Sequence, residues 1–255
     1  MLALYHWEPV ASCALPLIAL AEKNLSFDSR YVDVLRLEQL EPEFLALNPQ
    51  GQVPVLLHDA RAITESTLML EYLESSFPEP GLAPRSPYEI YRMQVWLKLV
   101  DEHLAPAVAL LGWHRVGAAR RAQIDVARAR QAIPRLPPER QAIWNMALDD
   151  SCADEQRSAA RCSLELRVPR IEASLAASEW LAGADFSLAD IAVFAMLKPL
   201  PHLMPGLVNR SATPRLMEWL EAIARRPAVA AVLGKARSAQ PEELFAPGAE
   251  AGRWG

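Results

Sequence analysis

Along the first eighty residues the apolar runs are short and the polar breaks between them frequent. Leu2 to Tyr5 is a brief apolar run ended by WEPVAS, and it predicts a buried strand in which Tyr5 reads as core. CALPLIALAEK, from Cys13 to Lys23, predicts a helix whose Pro16 falls in the first turn, where a missing N–H does no harm. SFDSRYVDV (26–34) reads as a second strand and LEQLEPEFLALN as a short helix. Two further strand candidates, Val55–Leu57 and Ala62–Ile63, flank the turn-like HDAR. Next, TESTLMLEYLESSF sets Leu68, Met69, Tyr72, Leu73 and Phe77 at helical spacing.

After this βαβ, helix, hairpin and helix order, PEPGLAPRSP (78–87) is rich in proline and glycine and reads as a linker. Beyond it the pattern is helical. Tyr88, Tyr91, Val95, Val100 and Leu104 stripe a long helix expected to end near Gly112. The stretch from about 115 to 150, rich in Arg, Ala and Pro, carries no clear period. A helix from about Ala153 to Ala177 is expected to kink at Pro169. FSLADIAVFAML (186–197) pairs Ser187 with Asp190 as a capping box ahead of a helix apolar on every face, which is the mark of a buried helix. A last helix, from TPRLMEWLEAIARRPAVAAVL, is interrupted at Pro227. The expected organisation is an α/β domain over 1–80, an all-helical domain over 87–235 and a loosely packed tail over 236–255.

Composition narrows the function classes. At 255 residues, 51% hydrophobic and 22% charged, the chain reads as an ordinary globular protein, and a formal charge of -5 argues against a nucleic-acid partner. No apolar run approaches the roughly 18 residues of a membrane span. The first ten residues lack the basic region and apolar core of a signal peptide. Cys13, Cys152 and Cys162 are neither an even disulfide set nor a CxxC pair, and the five histidines are scattered. No metal site is expected, and the expected compartment is reducing, hence cytoplasmic.

The α/β unit, the Pro-rich linker and the helical unit together suggest a thioredoxin-like fold with a helical extension. Three motifs sharpen this. NPQGQVPVL, the Glu-Ser pair of ITEST and FSLADIAVF, in that order, resemble the glutathione S-transferase superfamily over nearly the whole chain. The resemblance implies a mixed four-stranded sheet followed by a helical bundle, glutathione as co-substrate, no metal, and a homodimer. It also implies that Pro54 is cis, so that Val53 presents its N–H and C=O to the cysteinyl backbone of glutathione. Glu65 would hold the γ-glutamyl ammonium, and Ser66 with the helix amides its carboxylate, which suits the positive end of a helix dipole. The same residues also read as an ordinary helix start with Thr64 as N-cap. Gln39 and Gln52 fall where the family sets polar groups for the glycyl end. Asp101, in VDEHL, resembles a residue reaching the neighbouring subunit's glutathione site, and equally reads as a solvated helix face.

At the reacting end, a thiol of pKa about 8.5 must ionise, and lowering that by two units takes roughly 2.7 kcal/mol. EPVASC, just before the first helix, offers Ser12 and Cys13. Either Ser12 donates to the glutathione thiolate, or Cys13 is itself a reactive thiol, or backbone amides suffice. GQVPVLLHDARAITESTLMLEYLESSFPE and VWLKLVDEHLAPAVALLGW are most similar to the glutathione-dependent β-etherases of bacterial lignin breakdown. That resemblance implies attack on the carbon bearing an aryl ether beside a ketone, with Trp7, Trp96, Trp113, His114 and Trp144 as candidate walls of an aromatic cleft. Helix tryptophans are mostly core, so about two of the five are expected to face substrate. A dehalogenase, a thiol transferase, a general conjugating transferase or a non-catalytic glutathione-fold module are the other readings.

Overall fold

The structure, a computed structural model, describes residues 1–240 together with Glu243 and Phe245. Most of the tail expected to be loosely packed lies outside these residues. Strands β1 (Leu2–His6), β2 (Asp28–Tyr31), β3 (Val55–His58) and β4 (Arg61–Ile63) form one sheet in the order β2-β1-β3-β4. β2 runs parallel to β1, joined by the crossover helix α1 (Ala11–Glu22), while β3 and β4 run antiparallel as a hairpin. The sheet is therefore mixed, as the βαβ-then-hairpin pattern predicts. Short helix α2 (Pro42–Leu45) precedes the hairpin and α3 (Ser66–Ser76) follows it.

The helical part begins with α4 (Pro87–Leu99), passes through a π-turn over Val100–Leu104, and continues as α5 (Ala105–Arg121). The helix does not end at Gly112. A Cβ there would sit 2.2 Å from the ring of Phe245, so the glycine costs the helix a little propensity and makes room for the aromatic ring. The uncertain stretch resolves into α6 (Val126–Ala132) and α7 (Pro138–Asp149). α8 (Asp154–Ala177) runs through Pro169, and α9 (Leu188–Leu197) is followed by α10 (Leu200–Leu203), α11 (Pro214–Ala224) and α12 (Pro227–Leu233).

Every residue of α9 is buried. Its apolar surface packs on α1 of the sheet layer and on α4 of the helical part, so one helix welds both to a continuous core. Asp190 sits in its first turn, 0% exposed. Its carboxylate accepts from the Ser187 N–H (2.9 Å) and hydroxyl (3.0 Å), the Leu181 N–H (3.0 Å) and the Trp219 indole (3.3 Å). Burial pushes this carboxyl up to about 6, against the pull of those donors. The expected stripe on α4 is corrected: Tyr88, Tyr91 and Val95 are exposed, and only Val100 and Leu104 of that set are buried. Among the described residues no helix is long and apolar enough to cross a membrane.

Candidate functional site

The turn between β1 and α1 is a strained stretch of backbone. Ala11, the first residue of α1, holds φ at 44°, a left-handed value that a side chain disfavours by about 1–2 kcal/mol. Beneath it, Glu8 is 3% exposed, and its carboxylate accepts from the Tyr31 hydroxyl (2.8 Å) and from the Arg237 backbone N–H (2.8 Å). The Arg237 guanidinium lies 3.6 Å from the centre of the Tyr31 ring. Burial, then the bond to Glu8, pushes the Tyr31 phenol well above its usual range. His6 is buried too. One ring nitrogen meets the Trp7 carbonyl (2.5 Å) and the other the Ser29 hydroxyl (2.8 Å), and burial is the main cause holding its pKa below 6.5.

This turn forms one wall of an open cleft with about 720 Å³ of empty space. Of the residues singled out in the sequence, Trp7, Ser12, Cys13, Gln39, Gln52 and Val53 line it. Ala105, Val108, Met196 and Phe245 supply an apolar wall from the helical part. Ser12 is half-buried in the first turn of α1, whereas Cys13 is buried, packs on Trp7 and Val34, and accepts the Trp7 N–H at 3.4 Å. Gln39 is 2% exposed; its Nε2 donates to the Val34 carbonyl at 3.3 Å, and its Oε1 has no partner among the described residues.

Val53–Pro54 is cis, as the resemblance implied. Pro54 is not itself in the cleft lining but leads into β3. The hairpin pairs Leu56 with Ile63, and continuing that register brings Pro54 level with Glu65. Glu65, not Thr64, is the N-cap of α3, at φ 66°, and no side chain caps this helix. Ser66 and Thr67 are buried, and the Thr67 hydroxyl donates to Asp101 at 2.6 Å, across to the π-turn. Asp101 therefore meets the start of α3 in its own subunit.

Four of the proposed aromatic walls are corrected. The indole of Trp96 donates to the Leu181 carbonyl (3.0 Å) and that of Trp113 to the Ala147 carbonyl (3.2 Å), which ties each between packed helical segments. Trp144 is 1% exposed, in the core, with its indole N–H unpartnered among the described residues. His114 is exposed and faces Asp150. Trp7 alone of the five lines the cleft.

Sequence reasoning passed over Arg140, which is 5% exposed, lines the cleft and donates from Nε to the Gln50 carbonyl at 3.3 Å. A signal was there: Arg140 shares the α7 face of Trp144, Ala147 and Leu148, and a charge on an apolar stripe asks for a reason. Among the described residues no group of three or more His, Cys, Asp or Glu could hold a metal ion.

Residues 13–76 match the model of the glutathione S-transferase N-terminal domain, and residues 137–227 that of the C-terminal domain. Protein LigF of Sphingobium sp. (strain NBRC 103272 / SYK-6) is 36% identical over 92% of this chain and 94% of its own. The crystal structure of beta-etherase LigF from that strain superposes with a TM-score of 0.86 at 35% identity, covering 92% of this chain and 99% of that one. A sphingomonad glutathione S-transferase complexed with glutathione gives 0.67 at 26% identity, over 91% of this chain and 97% of the other. The chain belongs to the glutathione S-transferase family.

Proposed function

We propose that this protein is a glutathione-dependent β-etherase. Glutathione lies along the wall formed by Val53 and the starts of α1 and α3, with its ammonium on Glu65 and its γ-glutamyl carboxylate on Ser66 and the α3 amides. Its thiol gives up a proton, and the thiolate attacks the carbon that bears an aryl ether beside a ketone. A C–S bond forms, the C–O bond breaks, and the electron pair leaves on a phenolate. The ketone activates that carbon; the protein's part is to ionise sulfur, align it and hold the aromatic rings. The observation that carries the reading is Ser12, in the first turn of α1 on a cleft whose far wall is apolar. Similarity to LigF over nearly the whole chain supports the choice of substrate.

Ser12 donates to the thiolate, aided by the positive end of α1. Losing one donor to a charged group costs roughly 1.5–3 kcal/mol, or about ten- to a hundredfold in rate. Ser12→Ala should therefore raise the pH midpoint of bound-thiolate formation and slow ether cleavage, and Cys13→Ala should be nearly silent. The deciding experiment incubates the purified protein with a β-aryl ether ketone, with and without glutathione. A phenol and a glutathione thioether should appear together, only with glutathione; no thioether would end the etherase reading. Should Cys13→Ala instead abolish activity on a small mixed disulfide while Ser12→Ala leaves it intact, the enzyme is a thiol transferase.

The working unit is a homodimer in a reducing, cytoplasmic compartment. Exposed Leu68 on α3 with Tyr88, Tyr91 and Val95 on α4 supply an apolar face for a second copy, and the three cysteines are unbridged. Sedimentation as a concentration-independent monomer would remove the dimer.

A further inference from the structure

The cleft wall around residues 39–53 holds two features that complement each other. Gln39 directs its amide nitrogen to the Val34 carbonyl, which leaves the buried Oε1 as an acceptor without a donor among the described residues. Arg140 brings a guanidinium into the same wall from the helical part, anchored through Nε on the Gln50 carbonyl. An acceptor followed by a fixed cationic fork suits a ligand end that carries an N–H and then a carboxylate. The glycyl end of glutathione is such a group, and Gln39 and Gln52 are neutral. The positive charge in this wall comes from α7.

We propose that Arg140 binds the glycine carboxylate of glutathione and that Gln39 Oε1 accepts the glycyl N–H, so that recognition of the co-substrate is divided between the sheet layer and the helical part. The proposal rests on the reading that glutathione occupies this cleft. Guanidinium is the fitting choice because it remains charged when buried and presents parallel donors to a carboxylate. Arg140 is a binding residue, not part of the reacting centre.

The test measures calorimetric affinity for glutathione and for glutathione whose glycine carboxylate is converted to the amide. The wild-type protein should prefer the free acid by about ten- to a hundredfold, the usual value of a hydrogen bond to a charged partner. In Arg140→Gln the preference should collapse to near unity, and Arg140→Lys should restore part of it. Loss of the Gln50 anchor would weaken both ligands alike, so the ratio, not either affinity, reports the carboxylate contact. A wild-type protein that binds both ligands equally, or an Arg140→Gln variant that keeps the wild-type ratio, overturns the assignment while glutathione binding stands. A wild-type protein that binds neither ligand overturns the functional reading along with it.

Discussion

Helix α9 starts on a residue that the fold has closed completely, and α3 starts on one that it has left strained. At α9, a single buried carboxylate collects four donors from three segments of the chain, the cap itself, the Leu181 loop and α11. At α3, Glu65 takes a left-handed φ of 66° and no side chain caps the first amides. Buried polar groups are stable only when satisfied, so the first arrangement contributes to folding. Strain of about 1–3 kcal/mol persists only where the surroundings enforce it, and in an enzyme it collects at sites of binding. One helix start serves the core; under the proposed function the other serves glutathione.

The sharpest way to break the comparison is at α9. Asp190→Ala leaves the Leu181 and Ser187 N–H groups and the Trp219 indole buried and unpaired, and should cost about 3–5 kcal/mol of stability. Denaturant midpoints would register it, while glutathione affinity of the folded fraction should be unchanged. At α3 the effects should reverse. Glu65→Ala should weaken glutathione about ten- to a hundredfold by calorimetry without loss of stability. Glu65→Gly should go further, with equal loss of binding and a gain of up to about 1 kcal/mol, as relief of the left-handed strain exceeds the added chain entropy. A Glu65 variant that unfolds, or binds as before, would erase the contrast.

The smallest effect concerns pH. Burial lowers the pKa of His6 from 6.5, so the unfolded chain takes up its proton first as pH falls. The contribution is whole above the unfolded value and is lost on acidification toward the folded one. Melting temperature should therefore drop between about pH 7.5 and about pH 5.5, and His6→Asn should flatten that part of the profile. Arg237 and Lys235 add to the lowering, so charge in the C-terminal segment also weighs on this histidine.

Much of this was legible in the sequence because it rests on period and on punctuation. Alternating and helical apolar spacing placed β1, α1, the hairpin, α3 and α9, and the motif order placed Val53, Pro54 and the Glu-Ser pair. What was not legible depends on who meets whom across the fold. Trp96, Trp113 and Trp144 occupy apolar helix faces whether such a face lines a cleft or a core, and only the carbonyls that receive the Trp96 and Trp113 indoles separate the two cases. Gly112 reads as a helix stop until Phe245 arrives from far along the chain to fill the space above it. Tyr88, Tyr91 and Val95 repeat at core spacing and yet are exposed, because periodicity reports that a face is apolar and not what covers it.

The π-turn at Val100–Leu104 is in effect a one-residue insertion held inside a helix. Each residue of an α-helix turns the chain by about 100° and advances it about 1.5 Å. Deleting a single residue there would restore a regular helix and swing Asp101 off Thr67, or rotate α5 with Val108 away from the cleft. Substitution cannot mimic that change, and compensating mutations elsewhere cannot undo it. In a family tree, gains and losses of chain length at this one position would therefore divide lineages more sharply than any exchange of side chains along the same helix.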